Sequence, residues 1–150
     1  MAEKKSVLIV CTGNACRSQM AEAIWRHEAG DRYDVASAGT HPAGVHPLAR
    51  DVIEELGIDM SQHSSKSVYA MSERAFDLVI TVCDNAKEVC PVFPRAGRQL
   101  HWPFEDPVMS EGTVDERLPH FRCARDLIRQ KIQSFLADDS ATTRGTPAAS

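Results

Sequence analysis

The stretch from Val7 to Trp25, VLIVCTGNACRSQMAEAIW, constrains the fold of this chain more than any other. Val7, Leu8, Ile9 and Val10, apolar and mostly β-branched, run into Cys11. A short Thr-Gly-Asn-Ala turn follows, and then a segment patterned as a helix. That order predicts a buried strand, a tight loop and a helix N-terminus in direct succession.

Such a junction acts on anions and on thiols. The first backbone N–H groups of a helix lack intrahelical partners and sit at the positive end of the helix dipole, so a loop feeding into them gathers donors around one point. A tetrahedral oxyanion fits there. Cys11, at the strand end, can point its sulfur into those donors. Arg17, six residues on, can close over them with a planar fork suited to two oxygens at once. Both features favour thiolate over thiol, and thiolate is the nucleophile. Gly13 is expected to allow a turn that a side chain would obstruct, and Asn14 to take a left-handed conformation while its amide braces the loop. Ser18 can cap the helix or hydrogen-bond the Cys11 sulfur. The expected binding loop is Thr12, Gly13, Asn14, Ala15, Cys16, Arg17 and Ser18, with Cys16 a buried packing residue.

The intact run CTGNACRS between strand and helix resembles the phosphate-binding loop of the low-molecular-weight protein tyrosine phosphatases and of the arsenate reductases that share their fold. SAGTH, Ser37 to His41, is similar to the second strand and following turn of that family, and Asp106-Pro107 resembles the aspartate-proline that supplies its general acid. The resemblance covers about Val7 to Leu136. It implies an α/β three-layer sandwich with a four-stranded, mainly parallel sheet, which the alternation of strands and helices also predicts.

Composition limits what else the chain can be. At 150 residues, with 43% hydrophobic and 25% charged residues, it suits one domain, expected over 1–137, followed by a polar, aperiodic tail at 138–150. A net charge of −4 gives no reason to expect nucleic acid as a partner. MAEKKS is too short and too charged for a signal peptide, and no apolar run reaches membrane length, so a cytoplasmic location and no membrane partner are expected. Five cysteines in that setting point to reduced thiols used for redox work or metal binding, and their odd number excludes pairing all of them.

Along the chain, a helix is expected from Arg17 to His27, a strand from Tyr33 to Ala38 and a helix from Pro47 to Leu56 capped by Gly57. A strand follows from Asp77 to Cys83, then a turn at RAGRQL, and a last helix from Val114 or Pro119 to Leu136, with Cys123 a passive member of it. His41 and His46 read as solvated loop histidines, and the His63 to Lys66 stretch as a loop with capping serines.

Cys83 and Cys90 admit three readings: two buried cysteines, a zinc site that lacks any CxxC or HxxxH partner, or a switch pair whose bridging requires the intervening DNAKEV to unwind. Here the arrangement is similar to that of thioredoxin-coupled arsenate reductases. The resemblance implies a relay: Cys11 attacks arsenate held by the loop and Arg17, Asp106 protonates the leaving oxygen, then Cys83 and Cys90 take over the sulfur chemistry. Glu105 is the alternative acid. Thioredoxin is the implied donor, with glutaredoxin open, and no metal or organic cofactor is required. Some related reductases hold a monovalent cation. Asn14, Glu22 and Ser37 match its ligands and Ser64 could add a hydroxyl, but Lys66 stands where a carboxylate is expected, so its ammonium would replace the cation by pairing with Glu22. The alternative is a phosphatase hydrolysing phosphate esters with Cys11, Arg17 and Asp106 alone. Against it, Val108, Met109 and Ser110 stand where that branch places tyrosines.

Overall fold

The computed structural model describes residues 4–71, 74–82 and 96–143, with side chains followed to residue 139. Strands β1 (Lys5–Cys11), β2 (Tyr33–Gly39), β3 (Phe76–Thr81) and β4 (Ala96–His101) form one sheet in the order β2-β1-β3-β4, every pair parallel. The helices are α1 (Arg17–Ala29), α2 (Pro47–Glu54), α3 (Val68–Met71) and α4 (Val114–Thr143), with a 3-10 turn at Pro107–Met109. None of the described helices is long and apolar enough to cross a membrane.

On one face of the sheet, Val7, Ile9, Val35, Leu78 and Ile80 pack with Met20 and Ile24 of α1, Val52 and Ile53 of α2 and Phe121, Ile128 and Ile132 of α4. On the other, Leu8, Val10, Ala38 and Val79 meet Val68 of α3. Because β1 is central and buried on both faces, its sequence is a continuous apolar run with no alternation. Ile128 and Ile132 are both fully buried, and each such side chain contributes roughly 1.5–3 kcal/mol relative to exposure.

Parallel pairing sets Cys11 beside Gly39 and Val10 beside Thr81, so β1, β2 and β3 finish along one edge. Open parallel sheets bind ligands beyond that carboxyl edge.

The expected turn at RAGRQL is wrong: Ala96 to His101 is strand β4. An edge strand needs only one neighbour, and here the exposed residues Gly97 to Gln99 between half-buried ones leave no alternating signal. Gly97 belongs there because a Cβ would stand 2.9 Å from the Asp77 carbonyl. Helix α4 starts at Val114, where Thr113 and Glu116 cap it reciprocally: the Glu116 N–H donates to Thr113 Oγ1 at 3.2 Å and the Thr113 N–H to Glu116 Oε1 at 2.9 Å. It runs past the expected end at Leu136 to Thr143. Asp139 explains the extension, since it accepts from the Tyr33 hydroxyl and lies 3.7 Å from Lys5 Nζ.

A charge clamp joins α2 to α4. Glu55 accepts from Arg122 at 2.8 Å and from Arg125 at 2.7 Å, and these hydrogen bonds, Arg122 first, hold its carboxyl down at about 2 from an ordinary 4.5. A depressed carboxylate stabilises the fold fully above its unfolded value and loses that contribution as pH falls through the folded one. Glu55→Gln should therefore melt slightly below the parent at neutral pH, only slightly because the Glu55 and Arg122 side chains are both exposed to solvent. The gap should close between pH 4.5 and 2. Thermal melts of the two proteins across that window check it; a gap that persists at the acid end refutes the clamp.

Candidate active site

β1 ends on Cys11, and the next five residues form the loop before α1 begins at Arg17. Three loop carbonyls accept backbone N–H groups from outside the loop: Thr12 from His41 at 2.8 Å, Gly13 from Ala43 at 2.9 Å and Ala15 from His46 at 2.9 Å. In a trans peptide the N–H points opposite to the carbonyl, so these planes turn the amides of Gly13, Asn14 and Cys16 to the other side. The end of β2 presses closely on the loop. A Cβ on Gly39 would stand 2.6 Å from the Thr12 carbonyl oxygen and 2.8 Å from the Asn14 nitrogen.

Asn14 is the hub. It is fully buried and takes the left-handed conformation expected of it, at φ 45°. Its Nδ2 donates to Ser18 Oγ at 2.8 Å and to Ser37 Oγ at 2.9 Å. Its Oδ1 accepts from the Lys66 N–H at 2.8 Å and from Gln19 Nε2 at 3.1 Å. Four polar groups thus hold one strained residue, which is how an unfavourable backbone angle survives in a loop. The expectation for Gly13 does not hold, because a Cβ there would meet nothing nearer than 3.7 Å.

Ser18 does not cap the helix. Its hydroxyl lies 2.9 Å from Cys11 Sγ, and since it already accepts from Asn14, its own proton is available to the sulfur. The N-cap is Cys16, whose side chain caps nothing. Burial above all, with Asp106 and Cys11 adding to it, pushes the Cys16 thiol well up, and its side chain is buried as expected.

Arg17 is nearly fully buried. Its Nη1 donates to the carbonyls of Val82 at 3.3 Å and Phe104 at 3.2 Å, and Nη2 meets Asp106 Oδ2 at 3.3 Å. One guanidinium therefore ties α1 to the residue after β3 and to the segment after β4. Asp106 is brought to the loop over 89 residues of sequence, while Glu105 beside it is exposed. The other Asp106 oxygen accepts from the Val108 N–H at 3.1 Å and starts the 3-10 turn. Met109, exposed, stands on that turn.

Beneath the loop, buried Glu22 collects the expected neighbours and two more. Ser37 Oγ donates to Oε1, Lys66 Nζ lies 3.9 Å from Oε1, and Arg26 Nη2 and His63 Nδ1 lie 2.8 and 4.0 Å from Oε2. Ser64 contributes its carbonyl, which accepts from Lys66 Nζ at 2.8 Å and Gln19 Nε2 at 2.9 Å. The hydroxyl that reaches the hub is that of Ser65, donating to the Asn14 carbonyl at 2.6 Å.

Gln19, Ser65 and Arg26 are absent from the expected site. A glutamine beside the core positions of a buried helix was the available signal for Gln19. His46, expected to be solvated, caps α2 by accepting from the Leu48 N–H at 3.1 Å and packs its ring on Phe121. Burial and the nearby Arg117 cation lower its pKa. Cys83 and Cys90 lie outside the described residues.

Residues 6–143 match the low molecular weight phosphotyrosine protein phosphatase family. An arsenate reductase of Halalkalibacterium halodurans is 42% identical over 132 residues, covering 88% of this chain and 95% of that protein. A solved arsenate reductase in its phosphate-binding state superposes with a TM-score of 0.76 at 30% identity, over 89% of this chain and 98% of the other. The thioredoxin-dependent arsenate reductase of Corynebacterium glutamicum superposes at 0.61 with 32% identity, over 88% of this chain and 63% of the other. The chain belongs to the low molecular weight phosphotyrosine protein phosphatase family, and arsenate reductases are among its relatives there.

Proposed function

We propose that this chain is an arsenate reductase that passes two electrons from three of its own thiols to arsenate and is reset by thioredoxin in the cytoplasm. The observation that carries the reading is the cradle itself: Cys11 Sγ beside the Ser18 hydroxyl at 2.9 Å, with the Arg17 guanidinium bridging to Asp106. The arsenate reductase relatives supply the substrate, and the thioredoxin-dependent one supplies the donor.

The Cys11 thiolate attacks arsenic, an As–S bond forms, and Asp106 gives its proton to the oxygen that leaves as water. The amides of Thr12, Gly13, Asn14, Ala15, Cys16, Arg17 and Ser18 and the Arg17 fork hold the remaining oxygens. An incoming oxyanion competes with Asp106 for that fork, so binding frees the acid to act. The Cys83 thiolate then attacks Cys11 Sγ; the As–S pair goes to arsenic, which leaves as arsenite, and a Cys11–Cys83 disulfide remains. Cys90 attacks Cys83, releasing Cys11, and thioredoxin reduces the Cys83–Cys90 disulfide. Support for Cys83 as the second thiol is its place in the chain, one peptide bond beyond Val82, whose carbonyl accepts from Arg17.

Single turnover with arsenate followed by mass spectrometry tests the relay. Cys90→Ser should accumulate a Cys11–Cys83 disulfide, and Cys83→Ser should release no arsenite. Normal cycling by Cys90→Ser overturns the scheme, and strong aryl phosphate hydrolysis unaffected by Cys83→Ser supports the phosphatase alternative.

Lys66 replaces a monovalent cation in this reading, with its ammonium near Glu22 where another enzyme would bring potassium. Activity and melting temperature should then be the same in potassium and in sodium. A clear gain in potassium refutes the replacement.

A further inference from the structure

The acid role of Asp106 leaves open what fixes its carboxyl over the cradle. Its segment, Asp106 to Ser110, is a single 3-10 turn with two backbone hydrogen bonds of its own, Met109 N–H to the Asp106 carbonyl at 3.1 Å and Ser110 N–H to the Pro107 carbonyl at 3.0 Å. The hydrogen bonds of a 3-10 turn have poorer geometry than those of an α-helix, so outside contacts weigh more in holding it.

Arg117, in the first turns of α4, supplies that support. Its Nη2 donates to the Val108 carbonyl at 3.0 Å and its Nε to Ser110 Oγ at 3.5 Å, while the Ser110 hydroxyl donates to the Pro107 carbonyl at 2.5 Å. The N–H of the same Val108 is held by Asp106 Oδ1. One residue, Val108, is thus gripped on one side by the acid and on the other by the arginine.

Arg117 is itself immobilised. Its guanidinium lies 5.6 Å over the ring of Phe121, which is fully buried, and its backbone N–H donates to the Thr113 carbonyl at 2.9 Å beside the capping pair Thr113 and Glu116. Phe121 also packs against the His46 ring, 5.0 Å away, and the His46 N–H holds the Ala15 carbonyl of the cradle loop. Acid segment and nucleophile loop are therefore referenced to one buried ring. A charge-assisted donor on a backbone carbonyl is stronger than a neutral one, and a misplacement of about 1 Å costs up to roughly a hundredfold in rate.

We propose that Arg117 is a positioning residue for Asp106, holding the turn that carries the acid against α4 and so setting where its carboxyl stands over the bound oxyanion. The proposal rests on the reading of Asp106 as the acid.

The test is a double-mutant cycle on the single-turnover rate with arsenate. Arg117→Met should lower the rate about tenfold while the arsenate concentration for half-saturation stays within about twofold. Arg117→Lys, which keeps a charged donor for the Val108 carbonyl, should recover most of the loss. In an Asp106→Asn background, Arg117→Met should cost nothing further, because the group it positions no longer gives a proton. An equal loss in both backgrounds overturns the proposal, as does an unchanged rate for Arg117→Met beside a slow Asp106→Asn. If Asp106→Asn alone is as fast as the parent, the acid reading fails and this proposal with it. Should Arg117→Met fail to fold, Arg117→Gln and Arg117→Lys in both backgrounds carry the same comparison.

Discussion

Replacing Arg17 by lysine is expected to slow the first covalent step with arsenate by about a hundred- to a thousandfold. Charge is preserved in that variant, so the loss isolates geometry. Arg17 reaches the Val82 and Phe104 carbonyls with one nitrogen and Asp106 with the other, from a side chain that is nearly fully buried. An ammonium is a compact point charge and cannot span those positions or present two parallel donors to an oxyanion. It also leaves carbonyls unsatisfied, each costing about 1–3 kcal/mol if no water replaces the lost donor. Rapid-quench measurement of thiol loss at Cys11, together with a melting curve, separates slow chemistry from poor folding. A rate within tenfold of the parent in a folded variant would mean that charge alone suffices.

The second large effect concerns Asn14. Asn14→Ala removes the donors of Ser18 Oγ and Ser37 Oγ and the acceptor of Gln19 and of the Lys66 N–H, all of them packed around a buried loop. It also places an alanine at φ 45°. Together these should cost about 3 kcal/mol, which for a chain of this size is a fall of roughly 6–12 °C in melting temperature. Asn14→Gly relieves the backbone strain but restores no hydrogen bond, so it should sit about 1 kcal/mol above the alanine variant and well below the parent. Thermal melts of the three proteins decide it. Equal stability of alanine and glycine variants would show that the conformation is not strained. If both matched the parent, the hub would be unimportant.

Much of this molecule could be read before any coordinates. The β1–loop–α1 unit was legible because each part has a local cause: an apolar run for a buried strand, an asparagine able to turn left-handed, an arginine spaced to close over donors. β4 was not, since Ala96 to His101 owes its conformation to pairing with β3 and not to its side chains. The end of α4 was hidden for a related reason, as Asp139 is held by Tyr33 and Lys5 from the far end of the sequence. Gln19 went unnoticed, and Ser65 was read only as a capping serine, because a polar residue's tertiary role is recognisable only once its partners are known.

By itself the sequence determined the local chemistry: a thiol at a strand end, amides at a helix start, an acid before a proline. Tertiary structure decided which of these meet. Parallel pairing brings β1, β2 and β3 to one edge, and Arg17 then joins Asp106 across 89 residues. Gly39 closes on the loop with no room for a side chain, and Lys66 reaches Glu22. Hydrogen bonds and ion pairs act over a few ångströms of space, and distance along a chain does not specify distance in space until the sheet is assembled.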